Sequence, residues 1–132
     1  MKLDGAMPSK GAQMSAHSKS VAEPLASDRA SVLIDLVGVA QGAIVSRVLA
    51  KSTGGNVTLF AFDRGQGLSE HTAPFDALVQ VVDGTLDLTI GGHEVRLRAG
   101  EIVRMPADVP HALQAAEASR MVLTMLRDQP SE

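Results

Sequence analysis

The chain reads as one all-β domain, a sandwich or barrel. Short apolar runs recur about every ten residues from Ser31 onward. Several of these runs alternate strictly between apolar and polar positions, the period of a strand with one face in a core. Gly, Asp and Pro punctuate them, as turns between short strands require. The 132 residues suit a single domain, and a 45 % hydrophobic content suffices for a core. No internal repeat or second domain is visible.

Taken in order, residues 1–27 are rich in Ser, Ala, Gly, Pro and Lys without periodicity. They are expected to be a disordered tail, with His17 solvated in it, and the domain to span 28–132. "SVLIDLV" from Ser31 is short and apolar and suits either a strand or a helical turn. "AIVSRVLA" (43–50) is a strand with Arg47 set between apolar neighbours; its guanidinium is expected at a dimer interface or in solvent. "NVTLFAF" puts Val57, Leu59 and Ala61 on one face and Thr58, Phe60 and Phe62 on the other. Both faces are largely apolar, so this strand needs cover on two sides. In "ALVQVVDGTLDLTIGGHEVRLRAGE" two runs flank Asp83-Gly84, a hairpin signal. A second turn follows at Gly91-Gly92, with His93 as a surface residue of it. "AGEIVRMPADVPHAL" adds a strand, a turn and a strand. Glu101 is read as turn chemistry, and Met121 and Met125 as strand packing. "AAEASR" is too short for a helix between two strand patterns, so "SRMVLTMLR" closes the domain as a strand.

Composition narrows the function. Net charge is −3 and no basic footprint exists, which argues against nucleic acid and anionic membranes as partners. There is no cysteine, so disulfides, thiolate metal sites and cysteine nucleophiles are excluded. The first residues carry no continuous apolar segment of the secretory kind, and a soluble cytoplasmic protein is expected. Trp and Tyr are absent and only Phe60, Phe62 and Phe75 are aromatic. Flat surfaces for sugar rings or unstacked bases are correspondingly scarce.

Two segments carry a family resemblance. "GLSEHTAPFDALVQVVDG" (67–84) resembles the first motif of the cupins, a His-containing loop and strand ending in a Gly turn. "AGEIVRMPADVPHAL" (99–113) resembles their second motif, which runs Gly, acid, strand, Pro, turn, Pro-His. The likeness extends roughly from Ser31 to Arg127. It implies a small single-domain cupin of the RmlC-like type, with a double-stranded β-helix, or jelly-roll, barrel.

In metal-binding cupins the first motif supplies two His and a third donor, and the second motif one more His. The resemblance therefore implies His71 and His111 as ligands, but Ala73 and Ala77 stand where the other two would be. A divalent ion (Fe, Ni, Mn or Zn) wants at least three protein donors. Asp76 and Gln80 are the nearest candidates for a third. If Ala77 points inward, strand parity turns both away. The reading that follows is a barrel pocket binding a small molecule, with His71 and His111 as its polar groups and Ala73, Ala77 and Met105 lining it. In it one imidazole donates to a ligand carbonyl or carboxylate and the other acts as a base. A metal-dependent dioxygenase- or isomerase-like enzyme is the alternative, and an oligomeric regulatory binding module the second. Strands apolar on both faces also predict a homodimer.

Overall fold

The structure is a computed structural model that describes residues 18–21 and 24–127. Ten strands are present among them: β1 (Ser18–Val21), β2 (Ile44–Ser52), β3 (Gly55–Phe62), β4 (Gly67–His71), β5 (Asp76–Asp83), β6 (Thr85–Ile90), β7 (His93–Arg98), β8 (Ile102–Met105), β9 (His111–Ala115) and β10 (Ser119–Leu126). A single 3-10 turn, Leu33–Asp35, settles the form of the "SVLIDLV" stretch. The strands form a six-stranded sheet, β1-β2-β3-β10-β5-β8, and a four-stranded sheet, β4-β9-β6-β7. The expected jelly roll is therefore what the chain adopts. Among the described residues no helix is long and apolar enough to cross a membrane.

The core lies between the sheets. Ile44, Phe60, Phe62, Val79, Val81, Met121 and Leu123 project from the larger sheet, and Leu68, Leu86, Leu88, Leu97, Leu113 and Ala115 from the smaller one. Phe60 and Phe62, two apart on β3, share this inner face and stack with centroids 5.8 Å apart.

The outer face of the larger sheet is also covered, and largely by the chain itself. Leu59 and Ala61 pack there with Leu49 and Val37, and Leu36 and Val39 join them. The segment ahead of β2 thus folds back over β3 and takes much of the role that sequence reasoning gave to a second subunit. Arg47 lies under this segment: its Nη1 donates to the Leu36 carbonyl at 3.4 Å. Its expected place at an interface or in solvent gives way to a part-buried one beneath the chain's own loop. Arg120 ties down the same loop, donating from Nε to the Val37 carbonyl at 2.9 Å and from Nη1 to Asp83 at 2.9 Å.

Two further expectations are corrected. Asp83-Gly84 does not close a hairpin. β5 pairs with β10 and β8, whereas β6 pairs with β7 and β9. The dipeptide is a corner at which the chain passes from one sheet to the other. Gly84 has the positive φ (87°) that the Asp-Gly signal foretells, but a positive φ does not dictate which strands pair. Buried Ser119 holds the corner, its Oγ accepting from the Thr85 amide at 2.9 Å and donating to the Glu117 carbonyl at 2.7 Å. Gly91-Gly92 does close a hairpin, between β6 and β7.

The second correction concerns the N-terminal segment read as a tail. Ser18–Val21 is a strand, paired in parallel with β2, and the Leu25 amide donates to the Leu49 carbonyl. A sheet edge offers unpaired backbone groups that recruit a strand without any apolar pattern in it. Composition therefore carries no sign of this pairing. The tail reading for 1–17, His17 included, and for 22–23 lies outside the described residues.

Candidate functional site

β4 and β9 run antiparallel in the smaller sheet and bring His71 opposite His111. On β9, His111, Leu113 and Ala115 alternate inward, so His111 is buried at the end of the inter-sheet core. On β4 a regular strand would not deliver His71 to the same face. Leu68 already points into the core, and three residues on the parity is reversed. The β4–β9 register shifts between Leu68 and His71. This irregularity re-aims the imidazole inward, as bulges near functional sites do. Gly67 permits the close approach on which the pairing depends. A Cβ there would run into the Leu113 carbonyl and lie 2.9 Å from Gln114 Cα.

The two imidazoles meet edge to face, with centroids 4.4 Å apart and planes at 72°. The Nε2 atoms are 3.2 Å apart. Each Nδ1 is held by a carbonyl two residues upstream, His71 by Ser69 at 2.9 Å and His111 by Val109 at 3.1 Å. Desolvation by burial, and then the charge of His71, push the His111 imidazole below its ordinary value of 6.5, against the pull of the Val109 carbonyl.

A pH dependence follows. Above 6.5 His111 is neutral in folded and unfolded chains alike. Below it the unfolded chain takes up a proton that the folded chain resists, so stability falls with pH through that window. Urea midpoints at about pH 7.5 and about pH 5.5 are expected to differ more for the native chain than for His111→Gln, which cannot titrate. Equal differences would contradict the assignment.

The other sequence candidates divide. Ala77 and Met105 are buried register partners of β5 and β8, on the inner face. Ala73 is half-buried in the link between β4 and β5, its carbonyl accepting from the Asp108 amide at 2.7 Å. The two residues considered as a third metal ligand do not join the histidines. Gln80 is exposed, on the opposite face from Val79 and Val81. Asp76 accepts from the Ala107 amide at 2.8 Å and pairs with Arg104 at 3.3 Å. It thereby anchors the turn leading to Val109 and His111, a positioning role that sequence reasoning missed; an acid facing a Pro-rich turn is the only trace of it. No group of three His, Cys, Asp or Glu side chains able to hold an ion occurs among the described residues. His93 is exposed and Glu101 accepts from the Arg98 amide at 2.8 Å, so both are surface-turn residues as expected. Phe75 lies under the Arg127 guanidinium, 5.1 Å from ring centroid to Cζ. It joins the two core phenylalanines in having its ring already engaged.

Comparison with known proteins agrees with this architecture. Residues 58–127 match the model of the cupin domain family. A conserved protein of unknown function from Streptococcus pyogenes is 31 % identical with a TM-score of 0.77, over 80 % of this chain and 93 % of that one. A cupin superfamily protein from Desulfitobacterium hafniense is 25 % identical with a TM-score of 0.75, over 79 % and 95 %. A cupin 2 conserved barrel domain protein from Leptotrichia buccalis is 33 % identical with a TM-score of 0.68, over 70 % and 45 %. No curated protein matches the sequence.

Proposed function

The chain belongs to the cupin domain family, and on that premise we propose that it binds a small organic molecule between its sheets, with the His71–His111 pair as the polar end of the site. The observation that carries this reading is the 3.2 Å approach of two imidazoles from distant strands at the edge of an apolar core. Such sites combine apolar walls with a few convergent polar groups. Ala77 and Met105 supply apolar surface on the facing sheet, and Ala73 borders the site from the β4–β5 link.

A resident metal fits this donor set poorly. Two imidazoles converge, but Ala73 and Ala77 bring no donor, Gln80 faces away and the Asp76 carboxylate is occupied. One observation favours the second reading, a metal-dependent dioxygenase- or isomerase-like cupin. The two Nε2 atoms stand 3.2 Å apart, so His71 and His111 are the residues that would hold an ion as a Lewis acid there. Half of a coordination shell is a weak hold against dissociation.

An NMR screen of small planar organic molecules against the 15N-labelled full chain tests the proposal. Hits are expected to shift Ala77, Met105, His71 and His111 together, and to weaken in His71→Gln, at a half-exposed position. Hits scattered over other surfaces, or none, would contradict it.

The proposal includes a homodimer. Although the chain covers much of its own outer face, Val32 (63 % exposed), next to Leu33 and Ile34 in the chain, and Ile102 (56 %), on strand β8, remain open. A second copy laid over them would remove this apolar surface from water. Sedimentation at micromolar concentration should give near twice the 13.8 kDa chain mass; a single-chain mass would count against the dimer.

A further inference from the structure

We propose that Asn56 and Lys51, on the larger sheet, complete the polar end of the site, and that its ligand carries a carboxylate. The inference rests on the small-molecule reading and names the class of its ligand.

Topology places the two residues. β3 passes through a corner into β4, as β9 does into β10, and the strand orders β3-β10-β5-β8 and β4-β9-β6-β7 match. Matching orders set β3 across from β4 and β10 across from β9, with the sheets about 10 Å apart. Asn56 lies at the start of β3 and His71 at the end of β4, both away from their shared corner at 63–66. They therefore border the same end of the core.

Residues directly opposite in an antiparallel pair share a face. Asn56 is opposite Met125, Met125 opposite Ala77, and Ala77 opposite Met105. The four form one row across the inner face, and Met125 packs against the core. Asn56 is thus the polar member of the row that holds Ala77 and Met105. Thr58 stands one row deeper, only 1 % exposed, and its hydroxyl donates to Asn56 Oδ1 at 3.2 Å. The bond satisfies a buried hydroxyl and fixes the amide by its oxygen, leaving the NH2 donors for another partner. Among the described residues the amide has no other partner.

A bulge brings Lys51 to the same row. Val48 is opposite Thr58, so in a regular ladder Ala50 would be opposite Asn56 and Lys51 would point to the outer face. The β2–β3 register shifts between Val48 and Ala50, which sets Lys51 opposite Asn56. Ala50 is instead opposite Val57, on the outer face. Bulges re-aim side chains in this way, and the irregularity in β4 does the same for His71. One irregularity in each sheet thus turns a polar side chain toward one end of the core. Lys51 is exposed and belongs to none of the ion pairs among the described residues.

An ammonium beside an amide NH2 offers donors only. A carboxylate accepts from both, and bonds to an ionised group are the stronger kind. Behind it Met125, Ala77 and Met105 give an apolar floor for the rest of the molecule. Asn56 and Ala77 are two strand spacings apart, about 10 Å, a length that one ring with its carboxylate covers.

The test titrates benzoate and benzyl alcohol, one ring with and without the charge, into the 15N-labelled full chain. Benzoate should shift the Asn56 side-chain NH2 and the backbone amides of Lys51, Ala77 and Met105. It should bind about tenfold more tightly than benzyl alcohol, the scale of a hydrogen bond to a charged group. Asn56→Asp keeps an acceptor for Thr58 and replaces the amide donors with a negative charge. It should weaken benzoate about tenfold or more and leave benzyl alcohol as it was. Lys51→Gln, at an exposed position, decides the matter should that variant fail to fold: it should weaken benzoate about threefold at low salt. Equal affinities for the two probes, or benzoate binding unchanged in either variant, would overturn the inference. Benzyl alcohol moving Ala77 and Met105 while benzoate moves nothing would overturn it too, with the small-molecule reading left standing. Silence at the site to every molecule of the screen would end that reading, and the inference with it.

Discussion

Phe60→Ala should lower unfolding free energy by about 3–5 kcal/mol, the cost of emptying a fully buried aromatic position. Phe60 has no exposed surface, sits on β3 between β2 and β10, and stacks on Phe62. Small domains hold roughly 5–15 kcal/mol in all, so the variant should be at the margin of folding at physiological temperature. The companion Phe75→Ala should cost about 1 kcal/mol or less, since it loses mainly a guanidinium contact near the surface. Urea denaturation of the two variants checks the pair. Equal losses would mean that the core is not centred where the strands place it.

Gly67→Ala should cost about 1–3 kcal/mol, the range for a forced fit in a packed site, and should also separate the two histidines. The added methyl meets the Leu113 carbonyl and Gln114 Cα, both backbone atoms of β9 that have no rotamer to yield. β4 must then lift away, carrying His71 from His111. Gly38→Ala is the control, because nothing lies within 4 Å of a Cβ there. The expected outcome is a lower urea midpoint and a lost NMR response to site ligands for Gly67→Ala, with both retained in Gly38→Ala. A Gly67→Ala chain that keeps native stability and an intact histidine pair would contradict the close-approach argument.

These two positions show what is legible in the sequence and what is not. The period-two patterns of β3, β6 and β7 place Phe60, Leu86, Leu88 and Leu97 correctly, because one buried face dictates alternation. His71 and His111 stand out through the motif resemblance. How they meet is hidden. An irregular register between Leu68 and His71 breaks the parity rule on which strand reading depends. The same rule holds along β5 from Asp76 to Gln80, where the strand is regular against β10. The corner at Gly84 is hidden for another reason. An Asp-Gly pair reports a backbone angle, while the choice of partner strands depends on β9 and β10, some thirty residues later in the chain. The carbonyls that face each Nδ1 belong to the backbone of Ser69 and Val109, which no side-chain pattern records.

The proposed role of the His71–His111 pair is to serve an organic ligand rather than a resident metal. Elemental analysis by plasma mass spectrometry tests this most directly, on tag-free chain purified without chelator beside a His71→Ala, His111→Ala double variant. The account predicts well under one metal per chain, unchanged in the variant, even after exposure to iron, nickel, manganese or zinc. About one metal per chain, lost in the variant, would contradict it and would mean that a further donor completes the shell around the two imidazoles.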